Sequence, residues 1–170
     1  MTADNDNSIQ SQGLYVWRAD NLLAATATLG GHWQLSEDQP DSENTSVNDV
    51  MSTRIATDTR TIKPGDIFLA LSGDNFDGHD YIDTAIAQGA VAAIVARPIA
   101  TADANSIPQL VVSDTRLALG QLAAYRRQQH QNLTFIAITG SSGKTTCKEM
   151  LGSIFGRLAP TLITRGNLNN

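Results

Sequence analysis

Basic residues are the first scarcity in this sequence. Twelve Lys and Arg stand against 17 Asp and Glu, for a net charge of −5, and the one adjacent basic pair is Arg126-Arg127. Nucleic-acid binding draws on clustered cations to neutralise phosphates, so no nucleic-acid partner is expected. Apolar runs are also short, and none approaches the roughly 20 residues that a helix needs to span a bilayer. The opening stretch MTADNDNSIQSQ has neither the basic nor the apolar region of a secretion signal. A single cysteine, Cys147, excludes an internal disulfide framework. These shortages together point to a soluble cytoplasmic protein with no membrane span.

What the chain does have is core. Hydrophobic residues make up 41% of 170, enough for one ordinary domain or a small domain plus part of another. No fixed-period repeat is present. Residues 1–13 are polar and read as a frayed terminus. Within residues 15–31, Asp20 reads as the N-cap of a helix with an apolar face from Leu22, Leu23 and Leu29, and Gly30-Gly31 as its stop. The acidic stretch 34–49 reads as an exposed loop.

From there strands and helices alternate. MSTRIATDTR predicts a short strand ending in Asp58, Thr59 and Arg60, KPGD a turn, and IFLAL a buried strand. A Gly/Asp-rich loop, SGDNFDGHD, precedes a helix over 81–88 that Gly89 terminates. Buried strands follow at 90–96 and in QLVVS. Asp114 then caps a helix over 115–129, with Leu117, Leu122 and Tyr125 facing in. Such alternation predicts an α/β fold: a small N-terminal domain, residues 1–131, with a mainly parallel or mixed sheet and flanking helices. A second unit begins at Asn132. LTFIAITG and TLIT are its expected strands, with SSGKTTCKEMLGSIFGRL as the helix between them. Residues 132–170 thus read as the incomplete first strand–loop–helix–strand of an ATP-binding domain.

ITGSSGKTTCKEM carries the chemistry. Gly140 and Gly143 let the backbone wrap tightly after a strand. Successive N–H groups, with the positive end of the following helix, then face an anion. Lys144 can reach β- and γ-phosphates, and Thr145 can place its hydroxyl on Mg2+. Ile138 stands where the common GxxxxGK[ST] pattern has its first glycine, and the bland alternative is a Gly/Ser turn before a lysine. Lys148 and Glu149 read as solvated, and Cys147 as a packed small residue.

TGSSGKTT resembles the phosphate loop of the Mur ligases, the ATP-dependent amide ligases of peptidoglycan precursor synthesis. Residues 57–98, TDTRTIKPGDIFLALSGDNFDGHDYIDTAIAQGAVAAIVARP, resemble the N-terminal domain shared by the third and fourth amino-acid-adding members. TRGNLNN, residues 164–170, and the GSSGK form of the loop resemble the member that adds D-alanyl-D-alanine. The resemblance covers roughly residues 50–170. It implies an ATP- and Mg2+-dependent ligase with small-molecule substrates: UDP-N-acetylmuramoyl-tripeptide, D-alanyl-D-alanine and ATP. It also implies that the first domain holds the UDP end and the second binds ATP; a monomer is expected. As given, the chain is expected to lack much of the catalytic machinery and to be inactive alone.

By that resemblance, Gly140, Ser141, Ser142, Gly143, Lys144, Thr145 and Thr146 bind ATP, with Lys144 catalytic and Thr145 on the metal. Thr57, Asp58, Thr59, Arg60, Asn75, Phe76, Asp77 and Gly78 meet the UDP moiety, and Asn167 and Asn170 line the active site. Asp58 and Arg60 have the alternative of pairing with each other or capping local backbone, and Phe76 that of a core residue. His79 is expected to cap the next helix or hydrogen-bond the loop; His32 and His130 have no assigned role. Three other readings stay open: the ligase adding the third amino acid, a P-loop kinase or GTPase, and a non-catalytic UDP-sugar-binding module.

Overall fold

The computed structural model describes residues 16–35, 46–73, 75–100 and 107–164. In chain order these form β1 (Trp17–Arg18), α1 (Ala19–Ala25), β2 (His32–Gln34), β3 (Met51–Ser52), β4 (Ile55–Ala56), β5 (Ile67–Leu69), β6 (Ser72–Gly73), β7 (Phe76–Asp77), α2 (Ile82–Ala87), β8 (Ala92–Val95), β9 (Gln109–Val111), α3 (Thr115–Gln129) and α4 (Lys144–Phe155). The expected frayed terminus, residues 36–45 of the expected loop, and Asn167 and Asn170 lie outside the described residues.

Five strands make one sheet in the order β2-β9-β8-β5-β4. β4, β5, β8 and β9 run parallel, and β2 closes one edge antiparallel to β9, with Trp33 opposite Leu110. The sheet is therefore mixed. Period-two alternation of side chains builds its layers. Ile67 and Leu69 of β5, with Ala92 and Ile94 of β8, pack in one cluster with Leu22 of α1 and Leu122 of α3. Phe68 and Ala70, with Ala93 and Val95, pack on the other face with Ile82 and Ala85 of α2. Burial on both faces is what a largely parallel sheet requires, and it accounts for the unbroken apolar runs IFLAL and AVAAIVA.

Several local expectations change. Arg18, not Asp20, caps α1: the Arg18 amide donates to Asn21 Oδ1 at 2.7 Å, which places Asp20 inside the first turn. Leu22 is buried but Leu23 is exposed. The strand expected over 51–60 divides, because β3 pairs with β1 while β4 joins the main sheet, and Thr59–Thr61 winds into a 3-10 turn. Gln34 belongs to β2, and Val47–Asp49 is a 3-10 turn rather than open loop. α3 has its expected bounds, with the Asp114 carboxylate accepting from the Leu117 amide at 2.9 Å. Its inward face carries Ala118 and Leu122, whereas Leu117 points out. Gly89, at φ 91°, ends α2 as expected.

The chain divides into two units, Met1–His130 and Gln131–Asn170. In the second, α4 forms as expected, but LTFIAITG and TLIT are not strands. A strand is held by ladder hydrogen bonds, and neither segment has a ladder partner among the described residues. TLIT lies instead along the helix. Lys148 Nζ donates to the Thr164 carbonyl at 2.8 Å, and Ile163 sits so close over Gly152 that a Cβ there would overlap it. Lys148 is thus largely covered rather than solvated, while Cys147, expected to be packed, is exposed.

Candidate functional site

The parallel strands β4 and β5 release their chains at the same end of the sheet, the end where α/β folds place ligands. A cavity of about 560 Å³ lies there, lined by Thr57, Asp58, Thr59, Arg60, Phe68, Phe76 and Tyr81. β4 delivers the first four residues directly. The Asp58 carboxylate caps the 3-10 turn by accepting from the Arg60 amide at 3.0 Å, and it also pairs with the Arg60 guanidinium at 2.6 Å. That pairing, with the amide contact second, holds the Asp58 carboxyl below its ordinary range. The pair-or-cap alternative therefore describes this geometry, in residues that also wall the cavity. Arg60 keeps most of its side chain in solvent, where it is available to a second anion.

Phe76 is not a core residue. It is half exposed and lies against Tyr81, with ring centroids 6.2 Å apart and planes tilted by 37°. Phe68 forms the floor from within the core. Sequence reasoning missed Tyr81 and Phe68. Tyr81 carried a faint signal, as the one other aromatic near Phe76; Phe68 carried none, because its strand reads only as core.

Among the described residues, Asn75, Asp77 and Gly78 are not on the cavity wall. The Asp77 carboxylate is engaged by its own loop and by Arg97. It accepts from the His79 amide at 3.0 Å, His79 Nδ1 at 2.5 Å and Ser72 Oγ at 2.8 Å, and from Arg97 at 2.9 Å. These contacts, the His79 amide and ring foremost, push its carboxyl far down. Gly78 approaches backbone closely: its amide donates to the Leu71 carbonyl at 2.7 Å, and a Cβ would stand 2.7 Å from that oxygen.

In the second unit, Gly140 at φ 145° and Gly143 at φ 76° turn the backbone into α4, which starts at Lys144. Both values favour glycine, so the turn needs the two residues found there. The Cys147 amide is bonded to the Gly143 carbonyl at 2.9 Å, whereas those of Lys144, Thr145 and Thr146, in the first turn, have no acceptor within the helix. Lys144 folds back over the loop, with Nζ 2.6 Å from the Gly140 carbonyl oxygen. The loop thus presents an ammonium, free first-turn amides and the Thr145 hydroxyl around one turn.

Residues 52–127 match the model of the Mur ligase family, catalytic domain. UDP-N-acetylmuramoyl-tripeptide--D-alanyl-D-alanine ligase of Escherichia coli (strain K12) is 49% identical over 122 residues, 72% of this chain and 26% of that protein. The chain belongs to the Mur ligase family. It spans about a quarter of the length of the curated relatives it matches. Crystal structure I of MurF from Acinetobacter baumannii superposes with a TM-score of 0.74 at 52% identity, covering 92% of this chain and 31% of that one. The α/β fold with its mixed sheet is therefore that of solved Mur ligases. Among the described residues, no helix is long and apolar enough to cross a membrane.

Proposed function

We propose that this chain provides the uridine-nucleotide site and the ATP phosphate loop of a ligase joining D-alanyl-D-alanine to UDP-N-acetylmuramoyl-tripeptide in cytoplasmic peptidoglycan precursor synthesis, acting as a monomer. One observation carries the reading: identity of 46–49% over more than 120 residues with two proteins bearing that ligase name. A ligase named for 2,6-diaminopimelate addition, from Janthinobacterium, is 38% identical over 116 residues, so addition of the third residue is the second reading.

In this reading residues 1–131 form the UDP-substrate domain and 132–170 the start of the ATP-binding domain. The Thr57–Arg60 turn offers hydroxyls and a guanidinium to the diphosphate, and the Phe76–Tyr81 edge offers apolar surface to the uracil. Gly140 to Thr146 wrap the ATP phosphates. The terminal carboxylate of the tripeptide takes the γ-phosphoryl group, releasing ADP and leaving an acyl phosphate. The D-alanyl-D-alanine amine then attacks the carbonyl carbon; phosphate departs, the nitrogen loses a proton, and an amide remains. The loop's work is to position the phosphoryl group and neutralise its charge. The Thr145 hydroxyl, a hard oxygen donor in the first turn of α4, suits Mg2+, which when bound screens charge on the β- and γ-phosphates.

Calorimetric titration with UDP-N-acetylmuramoyl-tripeptide, with the matching UDP-dipeptide, and with ATP and Mg2+ tests the reading. Binding of the tripeptide ligand is expected, and Arg60→Ala should weaken it. Indifference of the protein to every uridine nucleotide would overturn the assignment, and preference for the dipeptide would favour the second reading.

A further inference from the structure

The loop from Ser72 to Tyr81 supplies two of the seven cavity-lining residues, yet its Ser72, Asp77 and His79 side chains bond to one another and to the end of β8 and do not line the cavity. His79 lies at the centre. Its side chain has no exposed surface, and both ring nitrogens are engaged. Nε2 is 2.8 Å from the Ala96 amide nitrogen; that N–H is a donor, so Nε2 is the acceptor and the ring proton sits on Nδ1. Nδ1–H then donates to Asp77 Oδ1 at 2.5 Å. Arg97, the next residue after Ala96, reaches Asp77 Oδ2 at 2.9 Å. Asp77 is thereby joined to the end of β8 twice, once through the imidazole and once through the guanidinium. The arrangement is not a nucleophilic triad: Ser72 Oγ donates to Asp77 Oδ1 at 2.8 Å, on the same side of the ring as the carboxylate, and Nε2 is occupied by backbone.

We propose that the Asp77–His79–Arg97 clasp is a positioning element of the uridine-nucleotide site, locking the 72–81 loop to the end of β8 so that Phe76 and Tyr81 stand against Thr57–Arg60. This rests on the reading of the cavity given above. None of the three residues lines the cavity among the described residues, so they act through the two aromatics and not by contact with a nucleotide. A buried, fully bonded imidazole suits this role, because it admits one tautomer and one ring orientation.

Two substitutions divide the two ends of the imidazole. His79→Asn retains a donor near the Nδ1 position for Asp77 but gives up the acceptor for Ala96. His79→Gln extends an acceptor toward Ala96 but gives up the Asp77 bond. Arg97→Ala removes the outer tie at a half-exposed position, and Arg97→Lys restores a cation there. Each variant is to be titrated with UDP by calorimetry, and amide hydrogen exchange is to be followed over residues 72–81 and over β5 and β8. Arg97→Ala is expected to raise the Kd for UDP roughly tenfold and to speed exchange in the loop while β5 and β8 stay protected; Arg97→Lys should recover much of both. The two His79 variants should each weaken binding, as both anchors are needed. Unchanged loop exchange in Arg97→Ala and in both His79 variants would overturn the clasp, whatever UDP does. If loop exchange rises but no protein, the unsubstituted one included, binds UDP, the clasp stands and the nucleotide assignment fails.

Discussion

Lys144 Nζ rests 2.6 Å from the carbonyl oxygen of Gly140, four residues earlier, so the side chain bridges the mouth of the turn that opens α4. The ammonium is strongly hydrated in water and here has exchanged part of that shell for a single carbonyl. A phosphate oxygen is the better partner, since a charge-assisted hydrogen bond is roughly twice as strong as one to a neutral acceptor. Lys144 is therefore expected to leave Gly140 when a nucleotide arrives. Lys144→Ala should weaken ATP binding at least tenfold and leave UDP binding within about twofold. Calorimetry with each ligand checks this, and equal loss of both would indicate a folding defect rather than a phosphate contact.

Gly143 and Gly78 are both required, for different reasons, and substitution separates them. Nothing lies within 4 Å of a Cβ at Gly143, so the obstacle is its φ of 76° alone. Gly143→Ala should cost about 1 kcal/mol, and Gly143→Asn less, because Asn tolerates the left-handed region. At Gly78 the obstacle is steric: the new Cβ meets Leu71 backbone oxygen at 2.7 Å and nitrogen at 2.9 Å, atoms that cannot swing aside. Gly78→Ala should destabilise the first unit by about 1–3 kcal/mol. Chemical unfolding checks the ordering: Gly78→Ala most affected, Gly143→Ala less, Gly143→Asn least.

Much of this architecture was legible in the residues. Runs such as IFLAL and AVAAIVA announce strands buried on both sides, and Asp114 announces the start of α3. What escaped depended on partners distant in sequence. β2 at His32–Gln34 exists because Trp33 finds Leu110, nearly eighty residues later, and its own three residues carry no strand pattern. LTFIAITG shows the converse, a strand pattern with no ladder partner among the described residues. The site divided similarly. Thr57 to Arg60, polar residues at a strand end, do wall the cavity, whereas Asp77, which the resemblance gives to the ligand, bonds to its own loop and to Arg97. No sequence pattern announces that His79 and Arg97 occupy the Asp77 oxygens.

The aromatic edge of the cavity yields a graded prediction. Phe76 and Tyr81 are each about half exposed, lie against each other and both line the cavity. Stacking of a base on an aromatic ring contributes about 1–3 kcal/mol. Tyr81→Ala and Phe76→Ala should therefore each weaken UDP binding by at least fivefold, whereas Tyr81→Phe should change it little. Pyrophosphate alone, which has no base, should be insensitive to all three substitutions. Titrations with UDP and with pyrophosphate check both statements.

The turn between β4 and β5 should respond to acid through Asp66. This buried carboxylate accepts two contacts at 3.0 Å from Arg54 Nε and one at 2.7 Å from the Lys63 amide. Burial alone would raise its pKa, but the Arg54 and Lys63 hydrogen bonds outweigh that, and the folded value lies below the ordinary one. A depressed carboxyl contributes stability that is complete above the unfolded value, near about 4, and is lost as pH falls through the folded value. Asp66→Asn should cost about 1–3 kcal/mol at pH 7, toward the lower end because Arg54 is partly in solvent. Asp77 is also depressed, so the unsubstituted protein will lose stability in acid for more than one reason. The informative quantity is the difference between the two proteins in urea midpoint, followed from pH 7 to pH 3. That difference should narrow as the Asp66 carboxylate takes up its proton and comes to resemble the neutral amide. A difference that stays constant across the range would mean that shape, and not the negative charge, holds Arg54 and Lys63 around this turn.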